Sequence, residues 1–167
     1  GEHQIAHLLE MRAGPASAES FHGEQLADTT LTMARVQAEM LKREDPRFAP
    51  TAVTEPDLIA HHGPEVGAAC WPAFARKAID PDRAGSLNAK LQSCWPDIRR
   101  AIREIHRTPT VLESALRRAH APTRPAEIGV TDDAYRAAVM QAREIRDRYT
   151  FLDFAAESGG IPAAATA

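Results

Sequence analysis

The sequence predicts an all-α fold, a bundle-like domain of about seven to nine helices joined by short loops. Three observations lead there. Apolar residues recur at helical spacing through most of the chain. Aromatic residues make up only 5% while Ala and Arg are abundant, a composition that favours helix over sheet. No segment shows the alternation of a strand; Ile128-Gly129-Val130 and Tyr149-Thr150-Phe151 come nearest, and both are too short to build a sheet.

The elements follow in order. Residues 2–12 place Ile5, Leu8, Leu9 and Met11 among polar positions, and Gly14-Pro15 supplies the stop. His22-Gly23 opens a long helix to about residue 43, with Leu26, Leu31, Met33, Val36, Met40 and Leu41 as its apolar positions. A proline-rich connection runs from Asp45-Pro46 to Pro56. Thr54 reads as an N-cap with proline in the first turn, starting a short helix through His61 that Gly63-Pro64 breaks. Helices are then expected at about 65–78, 84–94, 96–106, 110–120 and 132–147, with a last one at 151–157. Pro96 is placed in the first turn of its helix, and Thr131 is the N-cap of the 132–147 helix. Cys70-Trp71-Pro72 and Cys94-Trp95-Pro96 form one short echo, not a solenoid repeat. Trp71, Trp95, Phe74 and the leucines are assigned to the core. Residues 1–157 read as the helical domain and 158–167 as a flexible tail.

At 167 residues, with 44% apolar and 26% charged residues, the chain has the make-up of one soluble domain. A net charge of −3 gives no reason to expect nucleic acid or an anionic membrane as partner. No apolar run approaches the roughly 20 residues of a membrane span, and the N-terminal stretch lacks the basic-then-apolar order of a secretion signal. Two cysteines, Cys70 and Cys94, are too few for a disulfide framework, so buried, reduced thiols and a cytoplasmic location are expected.

The chemistry-bearing residues concentrate in the first 25 positions. His3 and His7 stand four apart and share a helix face. His22 opens the next helix beside Gly23, read as letting the backbone approach closely. Two helices meeting there could hold two or three imidazoles around a divalent ion, since neutral imidazole is a common ligand for zinc and its neighbours. The pair could equally be two surface histidines. Gln4 stands where a His-Glu-x-x-His protease needs its general base, which argues against hydrolysis by that route. His61-His62 reads as structural, at a helix end where histidine favours the dipole. Arg99, Arg103 and Arg107 form an i, i+4 ladder, read as a solvated face paired with Asp97 and Glu104 rather than a phosphate site.

Glu2-His3-x-x-x-His7, then Phe21-His22-Gly23-Glu24-Gln25, then Arg148-Tyr149-Thr150-Phe151-Leu152-Asp153 resemble, in that order, the iron-containing alcohol dehydrogenase superfamily. The last of these words points to its sn-glycerol-1-phosphate dehydrogenase branch. The resemblance implies that the chain corresponds to the helical C-terminal domain, although the middle, about 45–125, is not distinctive. It further implies that His3 and His22 ligate a divalent metal (zinc, nickel or iron), with an Asp from a preceding domain as third ligand. His7 would lie beside the ion as a catalytic residue without necessarily ligating. The implied reaction is NAD(P)-dependent interconversion of dihydroxyacetone phosphate and glycerol phosphate. The family's N-terminal α/β domain, which binds most of the NAD(P), has no counterpart here, so this chain alone is expected to be incomplete and inactive, with that domain supplied in cis or in trans. Leu26-Ala27-Asp28 departs from the small, glycine-rich continuation expected after the second word. The implied partners are a small polyol phosphate and, by the same reading, a second copy in a homo-oligomer.

Two other classes compete. One is a non-catalytic helical interaction module descended from such a domain, or the half of a related glycerol or alcohol dehydrogenase. The other is a stand-alone metal-dependent hydrolase, for which Glu24 is the only nearby candidate base.

Overall fold

The computed structural model describes residues 1–13 and 22–163. The stop expected at Gly14-Pro15, Phe21 of the second motif word and the last four residues of the tail lie outside the described residues. Eight α-helices and no strand occur among the described residues: α1 (Glu2–Ala13), α2 (His22–Met40), α3 (Glu55–His62), α4 (Pro64–Lys77), α5 (Pro81–Ile105), α6 (Pro109–Arg118), α7 (Asp132–Gln141) and α8 (Phe151–Glu157). Two 3-10 turns, Pro125–Ile128 and Ala142–Ile145, complete the order. None of the helices is long and apolar enough to cross a membrane.

The core gathers where α1, α2, α7 and α8 meet. Ile5, Leu8 and Leu9 of α1 close on Val36 and Met40 of α2, on Tyr135 and Val139 of α7, and on Leu152 and Phe154 of α8. In α1, α2 and α7 these positions follow the i, i+3, i+4 spacing of one helical stripe, whereas the short α8 is buried over most of its surface. α3 and α4 pair closely beside this core. Their approach depends on Gly67, where a Cβ would stand 2.6 Å from the backbone N and Cα of Ile59. Between them Gly63, at φ +83°, breaks the chain direction in the left-handed half of backbone space that favours glycine.

Most expected elements stand, and the caps are as read. The Thr131 side chain accepts from the Ala134 N–H, and Thr54 forms a reciprocal cap with Asp57. Two boundaries differ. The helices expected at 84–94 and 96–106 are one, α5, with Pro96 inside it. An internal proline removes one helical hydrogen bond and crowds the preceding turn, but here the following turns are anchored from outside. Trp95, 3% exposed, donates its indole N–H to the Arg43 carbonyl at 3.0 Å, while Arg99 donates to the same carbonyl and Arg103 to that of Leu41. The arginine ladder is therefore not simply a solvated face. Two of its members satisfy carbonyls just past the end of α2, where cations also complement the helix dipole. Asp97 pairs instead with Arg100.

The second difference is at 132–147. α7 ends at Gln141 and the chain tightens into the 3-10 turn Ala142–Ile145. All four residues of that turn are buried. The segment runs between α1, α4 and α7 and needs partners on every side, which an amphipathic α-helical stripe does not provide.

Cys70 and Cys94 are free, as expected, but half-buried rather than buried. Trp71 is likewise only half-buried, whereas Phe74 and Trp95 are in the core. The start of the expected tail is tied down. The Arg43 guanidinium donates to the Ser158 and Gly160 carbonyls, and Ile161 packs on the core.

Candidate metal centre

Burial of Ile5, Leu8 and Leu9 turns the other stripe of α1 outward, and that stripe carries His3, His7 and Glu10. His22, the first residue of α2, joins them. The three imidazoles form a triangle: ring centroids are 6.3 Å apart for His3–His7, 5.9 Å for His3–His22 and 5.5 Å for His7–His22. Ligand bonds of about 2.0–2.1 Å in a tetrahedral shell place neighbouring imidazole centroids about 5 Å apart. The ring centroids are thus about 0.5–1.3 Å farther apart than in a filled site and the ring nitrogens do not gather within 4.8 Å of one another, although the donor set suits a borderline divalent ion.

The ring nitrogens are engaged by carboxylates. His22 Nδ1 lies 2.7 Å from Glu10 Oε1, His7 Nδ1 lies 3.3 Å from Glu10 Oε2, and His3 Nδ1 lies 3.2 Å from Glu2 Oε1. The hydrogen bond from His22 is the main reason the Glu10 carboxyl sits below its ordinary range. Glu10 is the acidic group that reading the sequence missed. The signal was present in His7-x-x-Glu10, whose i, i+3 spacing sets both on one helical face. Gly23 does not serve close approach: a Cβ there would meet nothing within 4 Å.

A cleft of about 560 Å³ opens beside His3 and His7, and Glu2, Gln4, Arg146, Asp147, Arg148 and Thr150 also line it. Gln4 is 7% exposed and accepts from the Thr150 hydroxyl at 3.3 Å. Its Nε2 is buried with no hydrogen-bond partner among the described residues.

The third motif word builds part of the cleft wall. Thr150 caps α8, and Asp153 Oδ2 accepts from the Thr150 N–H at 2.8 Å. Asp153 Oδ1 meets Lys77 Nζ at 2.7 Å as an ion contact, off the line of a hydrogen bond. Arg143 reaches Glu157 at 3.2 Å, and Glu157 also accepts from the Tyr149 hydroxyl at 2.7 Å. Burial, then this carboxylate, pushes the Tyr149 phenol up. These residues hold the backbone of 146–150 in place and do not themselves reach the imidazoles.

His61 and His62 lie elsewhere, at the end of α3. His61 Nδ1 is 3.0 Å and His62 Nε2 is 2.8 Å from the same oxygen, Glu144 Oε2. They are not simply helix-end residues as the sequence suggested. Burial is the chief influence lowering the His62 imidazole, with Glu144 working against it.

Comparison with protein-family models, with curated proteins and with solved structures finds no match for this chain.

Proposed function

We propose that this chain is the metal-binding helical part of an NAD(P)-dependent dehydrogenase that interconverts dihydroxyacetone phosphate and a glycerol phosphate. The observation that carries the reading is the triangle of His3, His7 and His22, drawn from two helices, with His3 and His7 lining an open cleft. Those residues stand at the positions that the resemblance to iron-containing alcohol dehydrogenases singles out.

His3 and His22 hold the ion, and an aspartate from an α/β dinucleotide-binding domain completes its shell. When bound, the ion supplies Lewis acidity toward a substrate carbonyl oxygen. The chain's own residues do the rest. His7, hydrogen-bonded to Glu10, stands beside the two ligands with a ring that can hand a proton to the substrate oxygen. Arg146 and Arg148 line the cleft and suit a phosphate, for which the guanidinium fork is the favoured partner. The nicotinamide is carried by the α/β domain, so the chain by itself orients no hydride donor.

Fusion to, or mixing with, the dinucleotide-binding domain of a glycerol-1-phosphate dehydrogenase tests this. NAD(P)H-dependent reduction of dihydroxyacetone phosphate should be seen with that domain and not without it. His22→Ala should abolish turnover with helical content unchanged. Robust reduction by the 167-residue chain alone, or full turnover by the folded His22→Ala assembly, overturns the assignment.

A further inference from the structure

We infer that His61, His62 and Glu144 form a second divalent-cation site, of zinc-like preference, separate from the N-terminal histidines. Among the described residues, three potential ligand atoms come within 4.8 Å of one another at this place alone. The N-terminal triangle needs its rings to leave Glu2 and Glu10 first; this cluster is already gathered.

The donor chemistry, two imidazoles and one carboxylate, is that of a zinc site with one position open. A tetrahedral ion with bonds of about 2.0–2.1 Å separates its ligand atoms by about 3.3 Å. The two imidazole nitrogens stand 3.0 and 2.8 Å from Glu144 Oε2, a few tenths short of that spacing. An ion entering between them requires only a small outward shift.

The surroundings are those of a built site. The side chains of His62 and Glu144 are 2% and 3% exposed, and that of His61 is 33% exposed. Two ligands are thus locked in the protein and the third forms the mouth, which leaves the open position on the solvent side for water or a small ligand. His61 and His62 are consecutive, yet one presents Nδ1 and the other Nε2 to the same oxygen, which lets neighbouring residues converge. Outer contacts fix both ends. Arg12 of α1 reaches the His61 carbonyl at 3.5 Å and also donates to the Gln141 side chain, next to the 3-10 turn that carries Glu144. Gly67 seats α3 on α4 at the start of the same helix pair. An ion here bridges α3 to the Ala142–Ile145 turn, two elements far apart in sequence.

Zinc titration of the chelator-stripped full chain, read by competition with a chromophoric zinc indicator, tests the inference independently of the N-terminal histidines. A His3→Ala/His7→Ala/His22→Ala variant should still bind one zinc per chain and gain thermal stability from it. Adding His61→Ala, a change at the exposed edge that the fold tolerates, should weaken that binding by at least about 100-fold, because losing even an outer-shell partner costs roughly 10–100-fold. Glu144→Gln in the same background should do likewise. Cobalt in place of zinc should give a four-coordinate visible spectrum that His61→Ala removes. A folded triple variant that takes up no zinc, or one whose zinc affinity His61→Ala leaves unchanged, overturns the second site while leaving the dehydrogenase reading untouched.

Discussion

Replacing Asp153 with Ala should nearly unfold the domain. Asp153 is 0% exposed and serves three neighbours at once, Lys77, Thr150 and, at 3.6 Å, the buried Arg143 guanidinium. One carboxylate oxygen meets the buried Lys77 ammonium at 2.7 Å, and the other accepts from the Thr150 N–H at 2.8 Å. Removing one partner of a buried ion pair costs about 3–5 kcal/mol, because the remaining charge stays desolvated. Loss of an N-terminal cap partner adds about 1 kcal/mol. The sum, about 4–6 kcal/mol, is comparable to the whole stability of many domains. Urea denaturation followed by far-UV circular dichroism is the assay. With a slope of about 2 kcal/mol per molar, the midpoint should fall by about 2–3 M. Lys77→Met/Asp153→Leu, which removes both charges, should recover much of the loss. Lys77 also donates to the Arg143 and Arg148 carbonyls at 2.6 and 3.1 Å, so recovery should stop short of wild type. A midpoint shift below about 0.5 M for Asp153→Ala, or no recovery in the double variant, refutes the claim that this pair governs the core.

Other expectations follow from single positions. Gly67→Ala forces a Cβ to 2.6 Å from the Ile59 backbone. It should cost about 1–3 kcal/mol, or roughly 3–10 °C in Tm, and weaken zinc binding at His61, His62 and Glu144 as α3 is pushed off α4. Gly23→Ala meets nothing and should leave Tm unchanged or slightly raised, so equal losses at the two glycines in differential scanning calorimetry would defeat the packing argument. Burial raises Asp28 from 3.8 to about 6. Its folded-state value exceeds the unfolded one, so its contribution is complete below about pH 3.8 and fades as pH rises through about 6. Wild type should therefore lose up to about 3 kcal/mol relative to Asp28→Asn between about pH 4 and 7 in paired urea titrations, and parallel pH profiles would contradict this. In the reconstituted enzyme, Arg146→Glu/Arg148→Glu should raise KM for dihydroxyacetone phosphate at least about tenfold while sparing unphosphorylated dihydroxyacetone; equal effects on both would remove the arginines from phosphate recognition.

The helices were legible because each repeats its apolar stripe and carries its own local signals. Thr54, Thr131 and the Gly63-Pro64 break act within a few residues, so the sequence alone displays them. The misread positions are those where a distant partner decides. Pro96 looks like a helix start until the Arg43 and Leu41 carbonyls, more than 50 positions away, are seen to hold Trp95, Arg99 and Arg103 along one continuous face. The 3-10 turn Ala142–Ile145 is set by what surrounds it, and no periodicity reports that. The same division runs through the sites. His3 and His7 were visible from spacing, and Glu10 could have been. Glu144 lies 82 positions from His62, and only the fold brings them together.

The motif word from Arg148 to Asp153 shows how far a resemblance can reach. It pointed to a dehydrogenase branch, yet its polar side chains are largely committed to packing. Thr150 caps α8 and steadies Gln4, Asp153 neutralises Lys77, and Tyr149 serves Glu157. A chain could keep this word for its core alone and perform no chemistry. The residues that packing does not require are the informative ones. His3, His7 and His22 are each more than 40% exposed as side chains, and the core does not need them. Selection for folding alone does not account for three exposed imidazoles gathered from two helices. The proposed metal site rests on that triangle and not on the motif word, and the His22→Ala comparison in the reconstituted assembly decides it.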